Sequence, residues 1–255
     1  MDGGDCSRPS GVLGESMTEL KLAFVDIYFR FPGGETSALN GITLDIPAGK
    51  RVALVGRNGS GKSTLMLHAN GILRPQQGVV QLNGQDIRYD RRSLRALRQN
   101  VGLVFQNPEE QLFSASVFQD ISLGPLNLGL SAQAARERVL EVAERCQLTG
   151  LLDRPVHALS GGEKTRAALA GVLAMRPRIL FADELTNSLD PWMCAQVLDI
   201  LDGFVRDGCT VVLASHDSGL VRRWADHVVW LDQGRVYRQG TVAEVLSDGE
   251  WPVSA

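Results

Sequence analysis

The chain has 255 residues, of which 44% are hydrophobic, so it is long enough to bury a full core in one domain that carries an insertion. Its formal charge of −3, from 26 basic and 29 acidic residues, excludes the strongly basic surface of a sequence-independent nucleic-acid binder. No apolar run approaches the roughly 20 residues of a membrane-spanning helix, and the chain does not begin with a secretory signal. We therefore expect a soluble protein, or one held at a membrane by a partner.

Two local features of composition leave that expectation unchanged. The cysteines contain no C-x-x-C pair, which favours a reducing compartment over a disulfide framework or a zinc site; they are Cys6, Cys146, Cys194 and Cys209. A cluster of arginines favours a solvated helix face, with a nucleic-acid or lipid patch as the alternative; its members are Arg88, Arg91, Arg92, Arg95 and Arg98.

The first part of the chain predicts an antiparallel β layer. Residues 1–17 are rich in Gly, Ser and Asp and are expected to form a disordered leader. From Leu20 the pattern becomes strand-like, and apolar residues alternate with polar ones at positions 42–46. The dipeptide Asn83-Gly84 lies between two short strand-like runs and predicts a hairpin turn.

Short apolar runs then alternate with helical segments, which is typical of a parallel sheet buried on both faces. The runs are residues 52–56, 101–105, 179–183, 211–214 and 228–231. The stretch between Phe105 and Ile179 contains none of them, but it has helix starts at Ser131 and Ser160. We therefore predict an α/β core with a helical insertion.

A phosphate-binding loop is predicted where the pattern G-x-x-x-x-G-K-[ST] separates an apolar strand from a helix. Glycines let successive backbone N–H groups turn inward around an anion, and the helix N-terminus adds positive potential. We expect Lys62 to reach the β and γ phosphates and Ser63 to bind Mg²⁺. The alternative is a glycine-rich turn with an unrelated lysine. The loop consists of Gly56, Arg57, Asn58, Gly59, Ser60, Gly61, Lys62 and Ser63.

Two carboxylates stand at the end of the apolar run 179–183. Asp183 is its last residue and Glu184 follows directly. Residues at the carboxyl ends of parallel strands lie beside the phosphate loop in this architecture. Asp183 is therefore expected to hold Mg²⁺ through water, and Glu184 to polarise the attacking water. An Asp-Glu pair that merely begins a solvated loop is the alternative when the pair is taken alone.

Three further features are ambiguous by themselves. Ser160 and Glu163 have the spacing of a capping box, but the intervening Gly161 and Gly162 would also let backbone N–H groups approach a phosphate. His216 and Gln106 each follow an apolar strand, where a histidine or glutamine is ordinarily a structural residue.

Taken in order, these elements resemble the ATP-binding cassette (ABC) family from about residue 20 to residue 246. The resemblance implies a P-loop NTPase fold with a RecA-like core, an antiparallel β layer and a helical subdomain at about 107–170, inside a domain that spans 18–250 before a short tail at 251–255. It identifies residues 56–64, ending at Thr64, as the Walker A loop, Gln106 as a Q-loop residue that also binds Mg²⁺, and residues 159–166 as the signature motif. It further identifies residues 188–190, ending at Asp190, as the D-loop, His216 as the switch histidine, and Phe31 as the aromatic that stacks on adenine.

The family mechanism implies that two ATPase domains pair head to tail, as a homodimer or with a related chain. Each signature motif then covers ATP bound with Mg²⁺ by the other chain, so that the active site includes residues supplied in trans. These residues are Ser160, Gly161, Gly162, Glu163 and Asp190. In the same mechanism Glu184 orients water and His216 contacts the γ phosphate.

Residues 101–113 and 170–177 are similar to the ATPase subunits of energy-coupling factor importers, especially the CbiO-like cobalt type. That similarity implies a transmembrane coupling protein and a substrate-capture membrane protein as partners, with no nucleic acid, and a peripheral position on the cytoplasmic face of the cell membrane. The implied cargo is cobalt or nickel, with a vitamin as the alternative. Soluble cassette ATPases that act on nucleic acid or ribosomes, and nucleotide switches that do not hydrolyse ATP, remain the alternatives from other classes.

The chain departs from the family pattern at three positions. The resemblance implies that Asp183 and Glu184 end the Walker B motif, and Leu185 stands where proline is common after that glutamate. Ser188 stands where the D-loop often has glycine, and Thr165 where the signature helix often has glutamine. Each catalytic group is retained, so we expect the departures to affect the rate of turnover and the communication between sites.

Overall fold

The computed structural model describes residues 20–187, 189–247 and 251. The predicted leader, Ser188 and residues 252–255 of the tail lie outside the described residues. The strands, in chain order, are β1 (Leu22–Phe29), β2 (Leu39–Ile46), β3 (Arg51–Val55), β4 (Gln77–Leu82), β5 (Gln85–Asp86), β6 (Val101–Val104), β7 (Ile179–Asp183), β8 (Thr210–Ala214), β9 (His227–Asp232) and β10 (Arg235–Gly240).

The α-helices are α1 (Lys62–Ala69), α2 (Arg91–Asn100), α3 (Val117–Asn127), α4 (Ala132–Arg145), α5 (Gly161–Leu173), α6 (Pro191–Arg206), α7 (Ser218–Trp224) and α8 (Val242–Val245). Short 3₁₀ turns occupy Pro108–Glu110, Thr149–Leu151 and Val156–Ala158. Among the described residues, no helix has both the length and the apolar character needed to cross a membrane.

The six-stranded sheet has the order β10-β9-β3-β8-β7-β6, and its first five strands in chain order, β3, β6, β7, β8 and β9, are parallel. Only β10 runs antiparallel, paired with β9. All five of the apolar runs in the sequence lie in this sheet, which confirms the predicted parallel core. Because the strands are parallel, the residues that follow β3, β8, β7 and β6 all emerge at one edge.

A separate four-stranded antiparallel sheet has the order β2-β1-β4-β5. The predicted hairpin joins β4 to β5, and both of its turn residues have positive φ, 52° at Asn83 and 75° at Gly84. Positive φ at both central positions matches the right-handed twist of the paired strands, which is why Asn-Gly suits this turn. The predicted antiparallel layer is therefore confirmed.

The parallel sheet separates two hydrophobic cores. Successive side chains of a strand point to opposite faces, so Val52 and Leu54 of β3 pack towards the antiparallel sheet and α1, whereas Ala53 and Val55 pack towards helices α3 to α7. Strands β7 and β8 are buried along their whole length. Burial on both faces explains why these strands are continuous apolar runs.

Three α-helices lie between β6 and β7. Helix α4 begins after Ser131 and α5 after Ser160, and each serine side chain accepts a hydrogen bond from the backbone N–H three residues later. Both predicted helix starts are thus confirmed, because a serine cap satisfies one of the N–H groups left free in the first turn.

Candidate active site

The strand order brings the predicted nucleotide-binding and catalytic residues to the same sheet edge. The phosphate loop follows β3, His216 follows the neighbouring β8, Glu184 follows β7, and Gln106 follows β6. Residues separated by more than 100 positions in the chain are therefore held side by side by the parallel pairing alone.

The lysine of the phosphate loop forms hydrogen bonds with backbone carbonyls of the same loop. Lys62 Nζ donates to the carbonyl oxygens of Gly56, at 2.8 Å, and Arg57, at 3.1 Å, and the Lys62 side chain is buried. Burial lowers the pKa of Lys62, while the negative charges of Glu184 and Asp183 oppose that shift. The ammonium group thus lies within the loop, near the predicted metal-binding carboxylate of Asp183 and the predicted catalytic carboxylate of Glu184.

Glycine is required at two positions of this loop. Gly61 has φ 105° and caps the N-terminus of α1 without a side-chain hydrogen bond; an added Cβ there would lie 2.7 Å from the carbonyl oxygen of Ala38. At Gly56 an added Cβ would collide with the carbonyl of Leu231. The first-turn N–H groups of α1 have no side-chain cap, which suits a helix N-terminus that receives an anion.

Asp183 is a buried carboxylate at the end of β7. Its side chain is 9% exposed, and its Oδ1 atom is buried without a hydrogen-bond partner. Burial raises the pKa of Asp183, and a hydrogen bond with the Ser63 side chain opposes that rise. An orphaned carboxylate oxygen next to a hydroxyl is a donor set that a hard divalent cation prefers, so these residues fit Mg²⁺.

Three side chains surround the carboxylate of Glu184. Gln106 Nε2 donates to Glu184 Oε2 at 3.1 Å, Asn187 Nδ2 donates to the same oxygen at 2.5 Å, and His216 Nδ1 lies 3.8 Å from Oε1. Glu184 itself has φ 47°, an unfavourable backbone conformation for a residue with a side chain. The site thus holds this carboxylate in a specific place despite a local backbone cost.

The predicted signature segment forms the capped start of α5. Ser160 N donates to Glu163 Oε2 at 2.7 Å, and Glu163 N donates to Ser160 Oγ at 3.3 Å, so the capping box is complete. The backbone N–H of Ser160 is the main cause that lowers the pKa of Glu163. Within the described residues, no hydrogen bond or ion pair joins residues 160–163 to the phosphate loop of the same chain.

Two other predicted residues lie at the surface. Phe31 is 43% exposed and packs edge-on against Phe29, with ring centroids 5.0 Å apart; Phe29 in turn contacts the buried His68 of α1. Asp190 caps α6 by accepting a hydrogen bond from Met193 N at 2.9 Å. Both side chains have a structural contact and an exposed surface that remains open to a ligand or another chain.

The structure adds residues that sequence reasoning did not identify. Asn187 contacts the predicted catalytic glutamate, and the signal for it is its position three residues after Glu184, where Asn187 N closes a turn on Glu184 O at 3.1 Å. Arg51, at the start of the strand before the phosphate loop, makes a bidentate pair with Asp226. No sequence pattern links those two residues, since they meet only through the pairing of β3 with β9.

A partly open cavity elsewhere in the protein contains none of the predicted site residues. It has a volume of about 430 Å³ and lies between the C-terminal parts of α4 and α5 and the segment before β8. Its lining includes Arg138, Arg145, Arg176 and Arg178. The cavity lies where β7 and β8 begin, at the opposite edge of the sheet from the phosphate loop.

Relatives of known identity match most of the chain. The ABC transporter family matches residues 39–187, more than half of the length. The energy-coupling factor transporter ATP-binding protein EcfA of Methanocaldococcus jannaschii is 44% identical over 225 residues, covering 88% of this chain and 80% of the relative. The cobalt import ATP-binding protein CbiO of Rhodobacter capsulatus is 47% identical over 227 residues, covering 89% of this chain and 81% of the relative.

Solved structures agree with the sequence relatives. The protein cbiO1 of Clostridium perfringens, part of the ABC transporter complex cbiONQ, superposes with a TM-score of 0.82 at 39% identity, covering 91% of this chain and 93% of that one. A dimeric post-hydrolysis state of the ATP-binding cassette MJ0796, bound to ADP and Pi, superposes with a TM-score of 0.79 at 26% identity, covering 87% and 98%. The chain therefore belongs to the ABC transporter family of ATPases, and within it to the energy-coupling factor type, which couples ATP hydrolysis to import.

Proposed function

We propose that this chain hydrolyses MgATP as a head-to-tail dimer and thereby drives the uptake of a transition-metal ion, cobalt or nickel, through membrane partner subunits. The observation that supports the hydrolytic part is the convergence of Lys62, Asp183 and Glu184 at one sheet edge. The cargo is suggested by the 47% identity to the cobalt import protein of Rhodobacter capsulatus.

In the proposed mechanism the phosphate loop binds ATP through its backbone N–H groups and through Lys62, whose ammonium exchanges the carbonyls of Gly56 and Arg57 for phosphate oxygens. Ser63, Asp183 and Gln106 would hold Mg²⁺. The ion, when bound, neutralises charge on the β and γ phosphates. Phe31 stacks on the adenine ring from its exposed position, and the remaining loop residues from Gly56 to Thr64 surround the phosphates.

Glu184 orients the attacking water and accepts its proton as the water oxygen bonds to the γ phosphorus and the bond to the β–γ bridging oxygen breaks. His216 donates to a γ-phosphate oxygen and stabilises the charge that develops there. The carboxylate of Glu184 is suited to this task because Gln106 and Asn187 fix its position from two sides. In-line attack needs that position to be held before ATP arrives.

The second half of each site comes from the other chain. Residues 160–163 and Asp190 contribute in trans, with the N-terminus of α5 directed at the γ phosphate of ATP bound by the partner. The separation of this segment from the phosphate loop within one chain supports the arrangement, as does the dimer of the related cassette bound to ADP and Pi. The membrane proteins bind the dimer and reorient as it closes and reopens.

A mixing experiment tests the shared site. Gly161 has open space around an added Cβ, so Gly161→Asp leaves the fold intact but places a negative charge where the partner's phosphate is proposed to lie. Neither Lys62→Ala nor Gly161→Asp should hydrolyse ATP alone, because each dimer has two defective sites. A mixed dimer has one intact site, which combines the phosphate loop of the Gly161→Asp chain with the signature segment of the Lys62→Ala chain. In an equimolar mixture about half of the dimers are mixed and each has one of its two sites intact, so the mixture should recover roughly a quarter of the parental rate.

Gly150→Asp is the matched control, since Gly150 is also exposed with open space around an added Cβ. It should retain the parental rate. No recovery in the mixture, with both variants folded and able to form dimers, would contradict a site shared between chains.

The cargo is tested by uptake. Cells that lack other cobalt and nickel importers and that produce the complete transporter should accumulate radioactive cobalt or nickel with the parental chain and not with Glu184→Gln. Equal accumulation with both chains would reject the metal cargo, and ATP-dependent uptake of a vitamin in the same cells would identify the alternative.

A further inference from the structure

The side-chain amide of Asn187 lies between the two proposed catalytic side chains. Its Nδ2 atom is 2.5 Å from Glu184 Oε2 and 3.3 Å from His216 Nδ1. Both contacts come from one planar amide on the turn that follows β7, so the nitrogen has one hydrogen available for each neighbour. The family pattern in the sequence gave this residue no task, and the proposed mechanism uses only its contact with Glu184.

The orientation of the amide follows from the chemistry of Glu184. An ionised carboxylate can only accept hydrogen bonds, so the amide atom beside Oε2 has to be the nitrogen. The opposite orientation would bring the carbonyl oxygen of Asn187 against a carboxylate oxygen at 2.5 Å, where two acceptors repel. Glu184 therefore fixes which way the amide of Asn187 faces.

The amide in turn determines the proton position on His216. An amide nitrogen has no lone pair to accept with, so its contact with Nδ1 is a hydrogen bond only if Nδ1 is the acceptor. A neutral imidazole that accepts at Nδ1 bears its hydrogen on Nε2. The direct contact between His216 Nδ1 and Glu184 Oε1, at 3.8 Å, is too long for a hydrogen bond that would hold the proton on Nδ1 instead.

The Nε2 atom of the His216 imidazole is available to contact a ligand. The His216 side chain is 54% exposed, and within the described residues no hydrogen bond involves its Nε2 atom. With the hydrogen on Nε2, the ring presents a donor to an incoming phosphate oxygen. In the other tautomer Nε2 would present a lone pair, which repels that oxygen.

We propose that Asn187 is a positioning residue that holds the carboxylate of Glu184 and fixes the Nε2–H tautomer of His216. The inference rests on the proposed function, in which Glu184 orients water and His216 donates to the γ phosphate. Asparagine suits both tasks because its amide supplies two hydrogens from one atom. Aspartate at this position offers only acceptors, and alanine offers neither group.

Nitrogen NMR of histidine-labelled protein tests the tautomer without any need for activity. The chain has four histidines, so His216→Ala assigns the signal by its disappearance. At alkaline pH the parental protein should show His216 with hydrogen on Nε2. Asn187→Asp should move the hydrogen to Nδ1, and Asn187→Ala should give a mixture of tautomers. A parental Nδ1–H signal, or a tautomer unchanged in Asn187→Asp, would overturn the inference.

Steady-state kinetics provide a second readout. Loss of a hydrogen bond to a charged group that acts on the transition state should lower kcat roughly 10- to 100-fold in Asn187→Asp and Asn187→Ala. KM for ATP should stay close to the parental value, because Asn187 makes no hydrogen bond to the phosphate loop within the described residues. Asn83→Asp introduces the same charge in the exposed β4–β5 hairpin and should leave kcat unchanged.

The two proposals fail in different ways. Full hydrolysis by Glu184→Gln would reject the proposed function. Hydrolysis that depends on Glu184, together with a parental kcat in Asn187→Asp, would reject only the role of Asn187. A rise in KM and a fall in kcat, together with lost dimerisation, would also reject it, because that result indicates a structural defect.

Discussion

Lys62 Nζ lies 2.8 Å from the carbonyl oxygen of Gly56, the first residue of its own loop. The lysine therefore bridges the two ends of the phosphate loop. A carbonyl contact of this kind satisfies the buried ammonium and keeps the loop open around a centre of positive charge. In the proposed mechanism, ATP binding exchanges these carbonyl oxygens for phosphate oxygens of higher charge.

Replacement of Lys62 by alanine should weaken ATP binding about 100-fold, since charge-assisted hydrogen bonds to phosphate each contribute about 1.5–3 kcal/mol. Titration calorimetry with MgATP measures the loss. Lys50→Ala is the matched control, because Lys50 is exposed on the turn before β3 and should bind ATP with parental affinity. Unchanged affinity in Lys62→Ala would contradict the assignment of the phosphate loop.

Replacement of Glu184 by glutamine should reduce kcat by roughly 10²–10⁴-fold, the usual effect of removing a general base, while ATP still binds. Because glutamine keeps the shape of the side chain, the ATP-bound dimer should accumulate, and size-exclusion chromatography with MgATP detects it. Glu35→Gln, at an exposed position before β2, should hydrolyse ATP and show no trapped dimer. A parental rate in Glu184→Gln would remove the carboxylate from the mechanism.

The sequence predicted those two residues because each lies in a local pattern. The phosphate loop combines glycines, a lysine and a hydroxyl between a strand and a helix, and the carboxylates directly follow an apolar strand. Parallel strands emerge at a common edge, so the meeting of the two patterns was also predictable. The architecture followed from the same periodicities, including the Asn83-Gly84 hairpin and the serine-capped helices.

Contacts between side chains from distant segments could not be predicted in this way. The position of Asn187 between Glu184 and His216 depends on the positive φ of Glu184, which turns the chain back across the strand end. A non-glycine residue in that conformation gives no signal in the sequence. Likewise, the carboxylate of Asp226 meets Arg51 only because β9 pairs with β3 in a particular register.

Asp183 is expected to cost the protein stability while it serves the site. Burial raises the pKa of this carboxyl, so its ionised form is disfavoured in the folded state. The cost is present at neutral pH and disappears as the pH falls below about 4, where the unfolded carboxyl is also protonated. Asp183→Asn should therefore raise the melting temperature of the nucleotide-free protein at neutral pH by about 2–4 °C.

The same substitution should weaken the response to ligand. Without the carboxylate, MgATP should produce a smaller rise in melting temperature than it does in the parental protein, because the rise reports ligand affinity. Differential scanning fluorimetry with and without MgATP measures both effects. Asp45→Asn, at an exposed position of β2, should change neither. Lower stability of nucleotide-free Asp183→Asn at neutral pH would show that burial is not the dominant influence on this carboxyl.

Arg51 and Asp226 form an ion pair whose contribution to the free energy of unfolding can be measured. Arg51 donates to Asp226 through Nε at 3.1 Å, Nη2 at 2.7 Å and the backbone N–H at 3.0 Å. Both side chains are about one-third exposed, at 33% and 35%, so solvent screens the pair. After that discount we expect Asp226→Ala to lower the free energy of unfolding by about 1 kcal/mol, since the geometry is bidentate and one bond reaches the backbone.

The pH dependence of that loss has a definite sign. The side-chain hydrogen bond from Arg51 is the main cause that lowers the pKa of Asp226. A carboxyl with a depressed folded-state pKa contributes stability above its unfolded pKa and loses it as the pH falls through the folded value. The difference between parental protein and Asp226→Ala should thus be constant near neutral pH and shrink below about pH 4. Urea unfolding of both proteins, of Arg51→Ala and of the double variant measures the coupling, and additive losses at neutral pH would show that the pair contributes nothing beyond its separate side chains.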